Sequence, residues 1–82
     1  MQPRKTLARL RSGSRNVRFA EAQSLASALG FVLERTRGSH HIYRHPRGAM
    51  LNLQPDRNRQ AKPYQMRQLL QTINEHELEL PK

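Results

Sequence analysis

The sequence predicts a small α+β domain in which two helices cover one face of a three-stranded antiparallel sheet, preceded by a basic N-terminal arm. Apolar residues recur at helical spacing in two segments, and three short strand-like stretches lie between them. Glycine or proline separates these stretches, as expected for a meander of antiparallel strands. With 82 residues the chain has room for one domain only. Two helices suffice to cover one face of such a sheet and leave the other to solvent.

The basic arm comprises residues 1–18, and the predicted domain comprises residues 19–82. Within the arm, residues 4–11 can form a short helix that places two leucines on one side. The small polar run SGSRN at 12–16 ends this helix, because glycine and serine favour turns.

Two segments of the domain carry the helical spacing. The first covers residues 19–30, and Gly30 supplies the expected C-terminal stop. The second begins at Pro63, which fits a first helical turn, and extends to about His76. The acidic residues 77–82 are then expected to form a frayed tail. The apolar positions of the two helices are Ala22, Leu25, Ala26 and Leu29 in the first and Met66, Leu69, Leu70 and Ile73 in the second.

Three strands are predicted between the helices, at residues 31–37, 40–45 and 49–54. Gly38-Ser39 forms a tight turn of the kind that joins antiparallel strands. Pro46 and the following Arg-Gly pair close the second strand, and a polar, basic loop follows the third. The order of elements is therefore helix, three-stranded meander, helix.

The composition excludes several classes of function. The chain has no cysteine, so it has no disulfide framework, no thiolate zinc site and no nucleophilic thiol. No apolar stretch approaches the ~18 residues that a membrane span needs, and no segment resembles a signal peptide. A cytoplasmic protein without membrane contact is expected.

Positive charge is the strongest compositional signal. Fifteen Lys and Arg residues against six Asp and Glu give a formal net charge of +9. Twelve of the fifteen are arginine, which suits planar, bidentate contact with phosphate. Three glutamates lie together near the C-terminus, so acid and base are segregated along the chain. This asymmetry favours a nucleic acid as partner, or a protein that mimics its charge. The alternative is that the positive charge only keeps a small protein in solution or meets an acidic protein.

Three of the four histidines lie within the stretch GSHHIYRHP at 38–46. Because side chains alternate along a strand, His41 and His45 share one face and His40 takes the other. Histidines four residues apart on a strand lie ~13 Å apart, too far for one ion bound at ~2 Å. The spacing therefore argues against a metal site.

Acid–base chemistry is a second interpretation of these histidines. Histidine both accepts and donates a proton near neutral pH, so it can deprotonate a ribose 2′-OH or protonate a leaving 5′ oxygen. Arginines nearby can stabilise charge on the phosphorus, and those in this hairpin are Arg35, Arg37, Arg44 and Arg47. Composition alone favours a simpler interpretation, in which the histidines only bind phosphate or are ordinary strand residues.

The stretch GFVLERTRGSHHIYRHP at 30–46 resembles the defining segment of the HicA toxin family, also called YcfA-like, of bacterial toxin–antitoxin systems. The family's pattern is a helix ending in Gly-Phe, a strand, Gly-Ser-His, an apolar strand and often His-Pro. Residues at about 19–76 follow it. The chain differs from many members in its additional arm and in having Leu-Gln-Pro-Asp where a Pro-Arg-His-like segment often follows the third strand.

The resemblance implies an α-β-β-β-α fold like the double-stranded-RNA-binding domain, in agreement with the predicted order of elements. It implies an mRNA interferase: an endoribonuclease that needs neither metal, cofactor nor ribosome and that blocks translation. The histidine of Gly-Ser-His is catalytic in that family, which corresponds to His40 here. The implied partners are mRNA and an acidic HicB-type antitoxin.

The remaining candidate residues surround His40. Gly38 is expected to supply a turn that positions this histidine. Tyr43 and Ile42 leave two alternatives: if Tyr43 points to the core, Ile42 and His40 face solvent, and if Ile42 is the core residue, His40 gains exposure only from its place at the start of the strand. The candidates for contact with RNA are Arg37, Ser39, His41, Arg44 and Lys62.

Two other functions compete with the nuclease. A non-catalytic RNA-binding module on the same fold would need the arginines but not His40. A DNA-binding regulator would need a helix-turn-helix or similar element, whereas the basic residues here lie on predicted strands and loops. DNA contact by the chain itself is therefore not expected.

Overall fold

The fold is a three-stranded antiparallel sheet with helices on one face. The structure is a computed structural model that describes residues 2–14 and 16–81; Arg15, within the predicted break, and the terminal Met1 and Lys82 lie outside the described residues. The elements are α1 (Pro3–Arg11), α2 (Phe19–Ala28), β1 (Val32–Arg37), β2 (His40–Arg44), β3 (Met50–Leu53) and α3 (Pro63–His76). The predicted α+β class and order of elements are confirmed.

The sheet has the strand order β1-β2-β3, and both strand pairs are antiparallel. Alternation along β3 buries Leu51 and Leu53 while Met50 and Asn52 stay exposed, because one face meets the helices and the other meets solvent. An irregularity between Leu33 and Arg35 shifts the register of β1 against β2. The face of the sheet opposite the helices is called the open face below.

The core lies between the sheet and the helices. Leu25 of α2, Leu53 of β3 and Leu69 of α3 are among the largest fully buried side chains. Tyr43 is also buried, and its hydroxyl accepts a hydrogen bond from the side-chain amide of Gln23 at 3.1 Å. The first of the two alternatives for β2 is therefore correct: Tyr43 faces the core.

The short helix that the arm permits is formed, and it is part of the core. Leu7 and Leu10 are 8% and 4% exposed, and Val17, after the helix, is 1% exposed. The Arg9 guanidinium forms an ion pair with Glu21 of α2. Burial of the apolar side of α1 against the other helices stabilises a nine-residue helix that would be marginal alone.

The prediction of a frayed C-terminal tail is wrong for residues 77–81. Glu77 adopts a left-handed conformation with φ of 51°, and the Leu78 amide donates to the Ile73 carbonyl at 3.0 Å. This turn reverses the chain after α3, so Leu78 is buried and Leu80 packs against the core. Helical periodicity does not predict that apolar residues after a helix return to the core when a turn reverses the chain.

None of the helices in the described part of the chain is long and apolar enough to cross a lipid bilayer.

Candidate active site

His40 is the first residue of β2, and its side chain is exposed on the open face. It is paired across the hairpin with Arg37, so Gly38 and Ser39 form a two-residue turn. Gly38 has φ of 57°, whereas Ser39 has no positive φ, the pattern of a type II′ hairpin that favours glycine first. A Cβ added at Gly38 would meet nothing within 4 Å. Glycine is therefore favoured here for its backbone conformation.

Asn52 of β3 lies beside the His40 ring. The distance from His40 Nδ1 is 3.2 Å to Asn52 Nδ2 and 3.4 Å to Asn52 Oδ1. The amide can therefore donate to an unprotonated Nδ1 or, after rotation, accept from a protonated Nδ1. Either contact orients the ring. The sequence offers only the outward position of Asn52 on an alternating strand as a signal, because its proximity to His40 depends on the β2–β3 register.

The open face around His40 is partly apolar and partly basic. Residues paired across antiparallel strands point to the same side of the sheet. Next to the His40–Arg37 pair, the open face therefore carries two rows of side chains, Arg35–Ile42–Asn52 and Val32–Arg44–Met50. Val32 and Met50 are 63% and 53% exposed.

Arg44 forms an ion pair with Glu34 on the adjacent strand. The Arg44 side chain, by donating a hydrogen bond, holds the pKa of the Glu34 carboxyl below its usual range, and the same contact raises the pKa of Arg44. Of the predicted RNA-contacting arginines, Arg37 forms no ion pair among the described residues, whereas the charge of Arg44 is compensated.

His41 lies on the other face of the sheet from His40, as the strand alternation predicts. Its ring packs edge-on against Phe19 at a centroid distance of 4.9 Å. Nδ1 lies 2.9 Å from the Ser39 carbonyl oxygen, which it reaches by donating its proton. His41 therefore stabilises the turn that positions His40. Ser39, in that turn, is exposed.

His45 joins the sheet to the end of α2. Its Nδ1 accepts a hydrogen bond from the Arg47 backbone amide at 3.0 Å, so the ring proton lies on Nε2, which donates to the Leu29 carbonyl at 2.9 Å. The ring also packs edge-on against Phe31. These contacts occupy both nitrogens, which makes His45 a structural residue.

Lys62 lies at the same end of the sheet as His40. It immediately precedes α3, and the Gln65 side chain in the first turn of that helix accepts from the Gln54 amide at 2.8 Å, just after β3. Leu53 at the end of β3 is paired with His41. We call this end of the molecule the hairpin end; it comprises the β1–β2 turn with Arg37 and His40, residues 17–19, and residues 54–62.

Among residues 2–14 and 16–81, no three His, Cys, Asp or Glu side chains are grouped so that they could hold a metal ion. His40 itself is exposed on an open sheet face. Acid–base chemistry on a bound substrate is what an exposed imidazole with one nitrogen oriented by an amide can provide.

The arrangement of these residues agrees with a known family. Residues 19–74, from the start of α2 to near the end of α3, match the family model described as "HicA toxin of bacterial toxin-antitoxin". The chain belongs to the HicA toxin family. No curated protein and no solved structure matches the chain.

Membership makes the chain the toxin of a toxin–antitoxin system, so it has an antitoxin as partner. The HicA match covers the sheet, α2, α3 and the whole hairpin of His40, whereas α1 and the packed tail lie outside it. The Gly-Phe and His-Pro pairs at 30–31 and 45–46 meet in the contacts of His45 with Leu29 and Phe31. These two parts of the HicA pattern therefore support the fold, and Gly-Ser-His is left as the part that carries an exposed functional group.

Proposed function

We propose that this HicA-family protein is a metal-independent endoribonuclease, an mRNA interferase, that uses His40 as a general acid or base. The observation that carries the proposal is the exposed His40 ring on the open face, placed there by the Gly38-Ser39 turn and oriented through Nδ1 by Asn52. No described contact uses Nε2 of this exposed residue, so a substrate can bind there.

The residues around His40 fit a reaction at a phosphodiester. A histidine near neutral pH can take the proton from a ribose 2′-OH, or give a proton to the 5′ oxygen that leaves. Arg37, directly opposite His40 in the hairpin and without an ion pair among the described residues, supplies positive charge where negative charge builds on the phosphorus. Ser39 and Lys62 are further candidates for phosphate contact at the same end.

His41 and Arg44 are less available for the predicted contact with RNA than Arg37 is. The His41 nitrogen beside the turn is engaged by the Ser39 carbonyl. The Arg44 guanidinium is engaged by Glu34. We therefore propose Arg37 as the principal cation beside His40, with Arg44 available only where RNA displaces Glu34.

A HicB-type antitoxin of acidic character is the proposed partner that neutralises the toxin. The open face combines exposed apolar side chains, Val32 and Met50, with positive charge around His40, and such a surface suits an acidic protein as well as RNA. Because the proposed substrate is mRNA, the proposed place of action is the cytoplasm.

The experiment compares wild type, His40→Ala and His76→Ala. The last is a matched control, since His76 lies at the far end of α3 from the hairpin end. Induced in cells, wild type and His76→Ala should stop growth, and His40→Ala should not; purified wild type should cleave RNA in the presence of EDTA. If His40→Ala stops growth as well as wild type does, the proposed catalysis is wrong.

The rival function is an RNA-binding module without catalysis on the same fold. It requires His40→Ala to bind RNA and to act in cells like the wild type, with Arg37→Gln as the damaging change. The same set of variants therefore decides between the two functions.

A further inference from the structure

We propose that residues 54–62, together with Arg18, form a rigid phosphate-binding loop that holds the backbone of single-stranded RNA and leads it to His40. The inference rests on the proposed function, because it assigns a substrate-binding surface to the same site. The family pattern and the sequence assign no role to Arg18, Arg57 or Arg59, all of which are exposed.

The loop is held in one conformation by contacts at its base and inside it. Residue pairs Pro55–Ala61 and Arg18–Gln60 form isolated antiparallel bridges. The Asp56 carboxylate accepts from two loop amides, those of Asn58 at 2.7 Å and Gln60 at 2.9 Å. A loop fixed in this way presents its side chains without a large loss of conformational freedom on binding.

The arginines of this loop form no ion pair among the described residues. The two nearest carboxylates are engaged elsewhere: Asp56 accepts from two loop amides, and Glu21 pairs with Arg9 and accepts from the Arg18 amide. The contacts of the Arg18 amide and the Arg9 guanidinium hold the pKa of Glu21 below its usual range. Three glutamates lie far from the loop, at the other end of α3: Glu75, Glu77 and Glu79.

Arg59 has a backbone conformation that is unusual for arginine. Its φ is 60°, in the left-handed region where glycine, asparagine and aspartate are common and arginine is not. Its backbone serves the fold, since the Arg59 carbonyl accepts from the Phe19 amide at 3.0 Å. No described contact uses its guanidinium. A long cationic side chain at this exposed, left-handed turn position supports the proposal that the side chain binds a ligand.

A short series of contacts connects the loop to the strand of His40. The Arg59 carbonyl accepts from the Phe19 amide, the Phe19 ring packs on the His41 ring at 4.9 Å, and His41 directly follows His40 in β2. In the proposed path, RNA held by Arg57 and Arg59 passes the exposed Gly38-Ser39 turn to reach His40 on the open face.

The test compares two double variants with equal loss of charge. Arg57→Gln/Arg59→Gln removes the proposed contacts, and Lys5→Gln/Arg11→Gln removes two exposed cations of α1 that form no ion pair among the described residues. Both are made in a His40→Ala background so that the RNA stays intact. The affinity for a short single-stranded RNA is measured against salt concentration, with circular dichroism to establish folding.

The loop variant should bind RNA about tenfold to a hundredfold more weakly than its parent. The slope of log affinity against log salt should fall by about 1.4, since single-stranded RNA gives ~0.7 per phosphate contact. The α1 variant should change both quantities much less. Equal losses in the two variants, or no loss in either, would overturn the inference.

Two further measurements separate this inference from the proposed function. In the catalytically intact background, the loop variant should raise the RNA concentration for half-maximal cleavage and keep the maximal rate. Failure of the wild type to cleave would contradict the nuclease proposal while the binding comparison still tests the loop. A loop variant that loses affinity for the antitoxin but keeps its affinity for RNA would show that the loop binds protein instead.

Discussion

Replacing Gly30 with alanine tests the contact that joins the end of α2 to the sheet. Gly30 has φ of 102°, and a Cβ built there would lie 2.9 Å from His45 Nε2. That nitrogen is also the donor to the Leu29 carbonyl. Alanine at this position therefore strains the backbone and also displaces the His45 ring.

The matched control is Gly48→Ala. Gly48 has a similar φ of 93°, but an added Cβ would meet nothing within 4 Å. A left-handed backbone costs an L-residue roughly 1–2 kcal/mol, and both variants pay this. Gly30→Ala should cost about 1–3 kcal/mol more, the usual effect of one extra carbon in a packed site. For a domain of this size, such a loss is a large part of the free energy of unfolding.

The assay is urea unfolding followed by circular dichroism, with the slope m checked for constancy between variants. Gly30→Ala should lower the unfolding midpoint clearly more than Gly48→Ala. In the background of His45→Ala, the additional effect of Gly30→Ala should largely disappear, since no ring is left to displace. Equal destabilisation by the two glycine substitutions would refute the proposed role of the Gly30–His45 contact.

Three more predictions concern the positioning of His40, the link to α1, and the core. Asn52→Ala should slow cleavage about fivefold, the effect of one hydrogen bond, without changing the affinity for RNA. Asn52→Asp should move the pH profile of cleavage to higher pH, because a carboxylate beside His40 favours the imidazolium form. Unchanged cleavage rates and pH profiles in both variants would exclude a positioning role for Asn52. Glu21→Gln should lower stability at pH 7 by about 0.2–1 kcal/mol, and because the pKa of Glu21 is lowered in the folded protein, the difference in urea midpoint should vanish as pH falls below ~4. Leu10→Ala, at a side chain 4% exposed, should cost about 2–5 kcal/mol in urea unfolding; a loss below ~0.5 kcal/mol would place α1 outside the cooperative core.

The elements of the fold could be predicted because their signals are local. The apolar spacing after Pro63 and before Gly30 predicts α3 and α2, and the Gly38-Ser39 pair predicts the hairpin. The tail could not be predicted in the same way. Leu78 and Leu80 reach the core only because Glu77 adopts a left-handed conformation, and nothing in a run of alternating Glu and Leu distinguishes this from an exposed tail.

The candidate site could be predicted in part. Strand alternation separates His40 from His41 and His45, and the structure places their side chains accordingly. Contacts between distant parts of the chain could not be predicted from the sequence. The proximity of Asn52 to His40 depends on the register of two strands, and register depends on the packing of the opposite face.

The sequence alone does not show which arginine of the hairpin is free to bind a partner. Arg37 and Arg44 are equivalent in sequence, as two cations of one hairpin. The structure distinguishes them, because Glu34 lies against Arg44 and no carboxylate of the described residues lies against Arg37. A charge pattern along the chain indicates a polyanion partner but does not show which cations are free to bind it.

The most direct test of the central claim is the single-turnover rate of RNA cleavage by wild type and by His40→Ala, both at saturating protein. Saturation removes differences in RNA binding, so the ratio of rates reports the chemical step alone. The account predicts a rate about 10²–10⁴ times lower for His40→Ala, the contribution typical of one general acid or base. A ratio near one, with the wild type active, would contradict the assignment of His40 as the catalytic residue.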